Sequence, residues 1–209
     1  MGNVSNVKSK YFGVSTATDR DGICAAQTTS GAASLTLNGA GVSSGTASWG
    51  TNAGATISVY AASANTGVTF TFTGTGLDGA SQTATLAGPG AGATVNTTEY
   101  FVTITAVSVD AAITNNAEVG WTRPATDVGC VFAGRTRIRG IQGLSGTTAG
   151  DVSFNNTSIT GTTLHTVPTS TTQDLIEPYI PDNGILFDAG AYISYANGVL
   201  AGITVFYDG

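Results

Sequence analysis

Charged side chains are scarce in this 209-residue chain. They make up 10% of it, against about 25% in an average soluble protein. The formal net charge is −6, so the broad basic footprint that nucleic-acid binding requires is absent. Cysteine occurs twice, at Cys24 and Cys130, which is too few and too widely spaced for a disulfide framework or a cysteine metal site. We therefore expect two free cysteines that behave as small apolar side chains.

Long apolar runs are also missing. No stretch approaches the roughly 20 apolar residues of a transmembrane helix. Residues 1–10 are polar with no apolar run behind them, so neither a membrane span nor a signal peptide is predicted, and we expect folding in the reducing cytoplasm. Low charge offers little electrostatic resistance to self-association, which favours a chain that works inside a larger assembly.

What the chain does contain is glycine, with 29 residues, together with threonine, serine and β-branched residues. The clearest pattern lies in residues 67–87, where Val68, Phe70 and Phe72 alternate with threonines. In an extended strand this alternation places the apolar side chains on one face and the hydroxyls on the other. Residues 76–79 then form the turn to a second threonine-rich run, which predicts a β-hairpin. Another sheet must cover its apolar face, because an isolated hairpin is marginal in water.

Similar short runs, separated by turn signals, recur along the chain and predict strands throughout, with the longest at 100–109 and bulky residues on both of its faces. We expect an all-β fold with two antiparallel β-sandwich-like domains, residues 31–122 and 129–209, preceded by an N-terminal arm, residues 1–30. The predicted strands are 33–37, 56–61, 68–73, 82–86, 100–109 and 117–121 in the first domain, and 136–144, 151–155, 162–167, 174–179, 184–188, 191–195 and 202–207 in the second.

Motifs that carry chemistry in other proteins lack their context here. Residues 74–79 match G-x-G-x-x-G, but the segment after them is strand-like, so a hairpin turn is predicted and no cofactor. His165, the single histidine, has no partner motif and is predicted to be a hydrogen-bonded strand residue. Asp19 and Asp21 precede a glycine without the later ligands of a calcium loop, which favours an Asx turn and no metal site. We expect no enzymatic activity.

Basic residues form one local pattern. Arg135, Arg137 and Arg139 occur at a spacing of two, which on a single strand points their side chains the same way. Such a stripe is typical of a solvated face or of a sheet edge protected against aggregation. Alternatively, the stripe binds an acidic patch on a neighbouring subunit, since arginine is favoured at interfaces.

The N-terminal arm combines basic and aromatic side chains at Lys8, Lys10, Tyr11 and Phe12. A frayed terminus would carry no function. Alternatively, the arm orders on contact with a partner surface.

The chain resembles a known group of proteins. The first domain resembles a small β-domain that recurs in virion proteins of tailed bacteriophages, and the second resembles another such domain. The resemblance covers most of the chain beyond the first 20 residues. It is carried by residues 21–39, 67–88 and 99–111 in the first domain, and by 137–154, 180–188 and 203–207 in the second.

The resemblance implies a non-enzymatic structural protein on the virion that binds the major capsid protein or other virion subunits, commonly as a homo-oligomer. A trimer fits positions where capsid units meet in threes. Decoration or cementing of the capsid surface is the leading hypothesis, and a tail or fibre component is the alternative, although the chain has no repeats, heptads or collagen-like tract. A carbohydrate-binding β-sandwich with Trp49 and Trp121 as sugar platforms is a rival from another class. A hydrolase is a third possibility with few candidate residues.

Overall fold

The structure is a computed structural model and describes residues 6–14, 16–50 and 52–209. Over these residues the chain is all-β, as predicted, and no helix is present that could cross a membrane. In chain order the strands are β1 (Lys8–Gly13), β2 (Asp19–Gln27), β3 (Ala33–Ser34), β4 (Val42–Ser43), β5 (Thr46–Ser48), β6 (Ala55–Ala61), β7 (Thr69–Gly76), β8 (Ser81–Ala87), β9 (Ala93–Val109), β10 (Ala117–Thr122), β11 (Thr126–Phe132), β12 (Thr136–Ser145), β13 (Gly150–Asn156), β14 (Thr163–Thr169), β15 (Leu175–Ile176), β16 (Ile185–Phe187), β17 (Ala191–Ala196) and β18 (Leu200–Asp208).

The chain divides into two compact units. The first unit contains residues 15–50 and 54–124, and the second contains residues 1–14, 51–53 and 125–209. The change of unit between Pro124 and Ala125 lies inside the stretch where the sequence predicts a boundary. The predicted N-terminal arm is not confirmed, because β1 belongs to the second unit and β2 to the first.

The first unit is organised around β9, which has 17 residues and is the longest strand described. Its first half pairs with β6, and its second half pairs with β7 on one side and with β3 and β5 on the other. The remaining strands extend this sheet in the order β2-β10-β6-β9-β5-β4, with β8 attached through β7. Phe101 and Ile104 are fully buried on β9, whereas Thr105 and Ala106 of the same strand are exposed.

The predicted hairpin is confirmed as β7 and β8. Phe70 lies opposite Leu86 and Phe72 opposite Ala84. Both phenylalanines have no exposed surface and belong to the core of the first unit, whereas the threonines between them are half-buried. The period of two in the sequence therefore assigns the faces of this strand correctly.

The second unit contains two sheets. One has the order β1-β18-β12-β15, with β16 also paired to β12, and the other has the order β11-β17-β13-β14. Ile138 and Ile203 from the first of these sheets and Phe154 and Ile193 from the second are fully buried in one core. This arrangement of two antiparallel sheets around a shared core agrees with the predicted sandwich character.

Several predicted elements differ in extent. Strands β1, β2 and β11 were not expected, and residues 33–37 and 174–179 contain strands of only two residues each. Residues 19–22, expected to form a turn, begin β2, although the Asp21 amide does donate to Asp19 Oδ1 at 3.3 Å, as an Asx motif requires. β1, β2 and β11 carry charged residues or glycines, and pairing with strands distant in sequence makes them extended.

Candidate binding surface

The residues expected in a flexible arm form an edge strand of the second unit. β1 pairs along its whole length with β18, from Lys8 opposite Tyr207 to Gly13 opposite Gly202. The side-chain amide of Asn52 adds a bond at 2.9 Å to the Tyr11 carbonyl. Lys8 and its neighbours are therefore held in place by a backbone ladder.

The two faces of β1 have different surroundings. Phe12 has no exposed surface and lies in the core of the second unit, so it offers nothing to a partner. On the same face, the Lys10 ammonium lies 5.8 Å from the centre of the Phe12 ring. Removal from water lowers the pKa of Lys10, and the nearby Cys130 thiol acts in the opposite direction. Tyr11 points to the opposite face and is 50% exposed.

The three arginines do not form a simple stripe. Arg135 precedes β12, and a register irregularity between Ile138 and Gly140 interrupts the strand beside Arg139. The Arg135 Nε lies 3.7 Å from a carboxylate oxygen of Asp188, and both side chains are mostly exposed. Ion pairs this open to solvent contribute little to stability, so the arginine remains available to another carboxylate.

Arg135 and Arg137 lie beside Lys8 of β1. Lys8, Arg135 and Arg137 line one open groove of about 620 Å³ in the second unit. We call this the basic groove, and its other lining residues include Thr136, Leu186 and Asp208. Arg139 is not among its lining residues, so the groove brings together two of the three arginines. Lys8 and the two arginines are far apart in the sequence, and they meet because β1 and β12 both pair with β18.

The electrostatics of the basic groove favour an anion. Its single side-chain carboxylate, Asp208, accepts a bond from the Arg137 amide at 3.2 Å and lies 3.7 Å from the Arg139 Nε. The Lys8 ammonium donates to the main-chain oxygen of Gly209 at 2.7 Å, and the Arg137 guanidinium donates to the Asn183 carbonyl at 3.0 Å. The bond to Asn183 orients Arg137 and leaves its charge uncompensated, since a backbone carbonyl carries no net charge.

The sheet that carries the basic groove also has an exposed outer face. Tyr11 and Leu144, on this face, are 50% and 41% exposed, and the Phe206 ring is half-buried over Gly140. A Cβ added at Gly202 would overlap the Tyr11 hydroxyl and lie 3.0 Å from its ring carbons, so glycine lets this ring lie against the sheet. Exposed aromatic and aliphatic side chains beside arginine are typical of interface composition.

The tryptophans proposed as sugar platforms are core residues of the first unit. Trp49 and Trp121 are each 3% exposed, and their ring centres lie 5.5 Å apart. The Trp121 indole donates to the Ala17 carbonyl at 3.0 Å. Because neither ring presents a face to solvent, neither can stack on a sugar, and the carbohydrate-binding hypothesis loses the residues on which it was based.

The remaining chemistry-bearing motifs also have structural roles. Residues 74–79 end β7 and form the hairpin turn, as predicted. His165 lies in β14 opposite Phe154, with ring centres 6.1 Å apart. Burial lowers its pKa, and its buried Nε2 has no hydrogen-bond partner in the described structure, where a hydrogen bond was expected. Cys24 and Cys130 are buried thiols that form no disulfide, as predicted. Within the described ranges no cluster of histidine, cysteine and carboxylate side chains could hold a metal ion.

Sequence reasoning missed the convergence that forms the basic groove. Lys8, Lys10 and Phe12 occur at a spacing of two, but this run is too short to predict a strand by itself. Nothing in the local pattern identifies β18 as its pairing partner. Comparison of the chain with protein-family models, with curated proteins and with solved structures gave no match.

Proposed function

We propose that this chain is a non-enzymatic structural protein of a tailed-bacteriophage virion, and that it decorates or cements the capsid by binding capsid subunits. The resemblance of both units to phage virion β-domains supports the class. The observation that carries the binding proposal is the convergence of Lys8, Arg135 and Arg137 in one open groove on a chain of net charge −6. An acidic segment of a capsid subunit is the ligand chemistry that such a groove fits.

Arginine recognises a carboxylate through two parallel N–H···O bonds, and lysine adds a point charge. In the free protein these cations face solvent, so each contact is modest and is weakened by salt. Strength comes from repetition, because many copies on one shell and several contacts per copy act together. A stable interface covers roughly 800 Å² per partner, so it must extend from the basic groove over the outer face at Tyr11 and Leu144.

The position on the particle is tested by electron microscopy. Antibodies against the purified protein, carried on gold, are applied to particles released from the host that carries the gene. Gold on the heads is the expected result. Gold on tails or fibres would favour the tail or fibre alternative, and particles with no gold and no copy of the chain by mass spectrometry would refute a virion role.

The role of the basic groove is tested by retention on purified particles in rising salt. Arg137→Gln removes a groove cation, and the matched control Arg20→Gln removes the same charge from β2 of the first unit, outside the groove lining. Loss of one charge-assisted contact costs about 1.5–3 kcal/mol, so we expect at least a tenfold weaker attachment for Arg137→Gln and little change for Arg20→Gln. Equal retention of the two variants would exclude the groove as the contact.

A further inference from the structure

The edge of the hairpin in the first unit is an open pairing surface. β8 pairs with β7 alone among the described strands. The register runs from Thr69 opposite Ala87 to Thr75 opposite Ser81 without an irregularity. β8 is therefore a straight edge strand seven residues long, and the unpaired backbone groups of such an edge can bind another strand.

The hydrogen bonds at the two ends of the hairpin define which residues of β8 face outward. The Gly88 amide donates to the Val68 carbonyl at 2.7 Å, and the Gly76 amide donates to the Ala80 carbonyl at 2.9 Å. In an antiparallel ladder, hydrogen-bonded and non-hydrogen-bonded pairs alternate. The even-numbered residues of β8 thus bond to β7. The amides and carbonyls of Ser81, Thr83, Thr85 and Ala87 point away from β7, and all of these residues are exposed.

The other edges of the described sheets are protected by known devices. β1 carries two lysines, and Asn52 covers one of its carbonyls. β14 contains Pro168, which cannot donate to another strand. The carbonyls of Gly22 and Ile23 in β2 accept bonds from the loop of residues 38–41. β3, β4 and β15 are two residues long and β16 is three. β11 has a register irregularity between Cys130 and Phe132, and its Gly129 forms a bridge with Ala53. β8 has no charge, no proline and no bulge, so it alone combines length with an open, unprotected ladder.

We infer that β8 is an assembly edge, and that its occupant is β8 of a second copy of this chain, paired antiparallel about a two-fold axis at Ala84. In this register Thr83 of one copy lies opposite Thr85 of the other, and Ser81 lies opposite Ala87. Every outward-facing amide then meets an outward-facing carbonyl, because both members of each pair are odd-numbered. The two hairpins, and through β7 the sheets to which they belong, join into one continuous sheet.

The sequence of β8 suits pairing with itself. A two-fold contact brings the same strand of the two copies together, so a charge near the axis would lie close to the identical charge of the partner. The strand SQTATLA carries no charge at all. Threonine pairs across antiparallel strands are favourable, and Thr71 and Thr73 of β7 already lie opposite Thr85 and Thr83 within each copy. This inference does not rest on the virion proposal, because the purified chain suffices to test it.

The first test removes an outward-facing backbone amide of β8 and leaves the hydrogen bonds between β7 and β8 intact. Thr83→Pro deletes an amide that β7 does not use, whereas Thr83→Val keeps the amide and the side-chain shape. In sedimentation equilibrium over a hundredfold range of concentration, we expect a monomer–dimer equilibrium for the unmodified protein and for Thr83→Val. For Thr83→Pro we expect a dissociation constant at least tenfold higher, with an unchanged circular dichroism spectrum. A wild-type protein that stays monomeric, or a Thr83→Val variant as impaired as Thr83→Pro, overturns the inference.

The second test uses disulfide cross-linking, so it does not require a proline variant to fold. It also reports the register in which the two β8 strands pair. Residues on the two-fold axis form a non-hydrogen-bonded pair with Cα atoms about 4.5 Å apart, within disulfide range. Ala84→Cys is therefore expected to give a disulfide-linked dimer under mild oxidation. In Thr85→Cys the two thiols lie on a diagonal of about 7–8 Å, so this more exposed cysteine is expected to remain largely unlinked, as are the buried native cysteines. Faster cross-linking of Thr85→Cys, or no linked dimer from either variant, refutes the proposed pairing.

Discussion

Replacement of Gly22 by alanine tests the packing of the two tryptophans. A Cβ at this position would overlap the Cζ3 and Cη2 atoms of Trp121 and lie 2.9 Å from the Asp19 carboxyl carbon. The indole has little freedom to retreat, because its nitrogen is bonded to the Ala17 carbonyl and its ring packs on Trp49. Gly41 crowds the same ring, with a built Cβ 2.7 Å from Trp121 Cζ3.

The magnitude follows from two opposing terms. Overpacking a core costs about 1–3 kcal/mol. An alanine in place of glycine returns about 0.4–1 kcal/mol by restricting the unfolded chain. We therefore expect a net loss of about 1–2 kcal/mol in the free energy of unfolding, equivalent to a urea midpoint lower by about 1 M.

The assay is urea unfolding followed by tryptophan fluorescence. Both tryptophans of the chain lie in the first unit, so the signal reports that unit alone. Gly31→Ala is the matched control, because a Cβ there meets no atom within 4 Å, and its midpoint should stay the same or rise slightly. An unchanged midpoint for Gly22→Ala would show that the indole is not confined as described.

Three further predictions concern single side chains. Phe12→Ala should destabilise the second unit by about 3–5 kcal/mol, measured by hydrogen exchange of β18 amides, whereas Tyr11→Ala should cost less than about 1 kcal/mol. If residues 8–12 formed a flexible arm, neither variant would lower the stability of the second unit. The Ser170 hydroxyl, which donates to Asp174 at 2.6 Å, holds the pKa of that carboxyl below its ordinary value; its stabilising effect is therefore present above the unfolded pKa and lost as pH falls through the folded pKa. Ser170→Ala should raise the titration midpoint of the Asp174 carboxyl, measured by NMR. An unchanged midpoint would show that the Ser170 hydroxyl does not lower this pKa. Burial raises the pKa of Cys24 to about 12, so this thiol should resist a disulfide reagent at pH 8 until urea unfolds the first unit, and fast reaction in the native protein would contradict its burial.

The local sequence determined much of the secondary structure. In β7 and β8 the alternation of apolar residues and threonines predicts the strands and their faces, because a hairpin brings neighbours in sequence together. The runs that become β6, β10, β13 and β17 were also assigned near their final bounds. In each case the side chains themselves carry a period of two, so the pattern is visible without knowing the partner strand.

Contacts between distant residues decided what the pattern could not. Lys8–Phe12 has too little periodicity to distinguish a strand from a loose terminus, and pairing with β18 makes it a strand that buries Phe12. The aromatic character of Trp121 suits an exposed platform or a core equally well, and the glycines that cover its ring settle the choice.

The basic groove follows from the same cause. The charges of Lys8, Arg135 and Arg137 are evident from the sequence. These side chains line one groove because β18 lies between β1 and β12. The sequence by itself determined an all-β chain with short amphipathic strands, because alternation is a local property. The tertiary structure decided which side chains share a surface, because strand pairing joins residues that no local pattern connects.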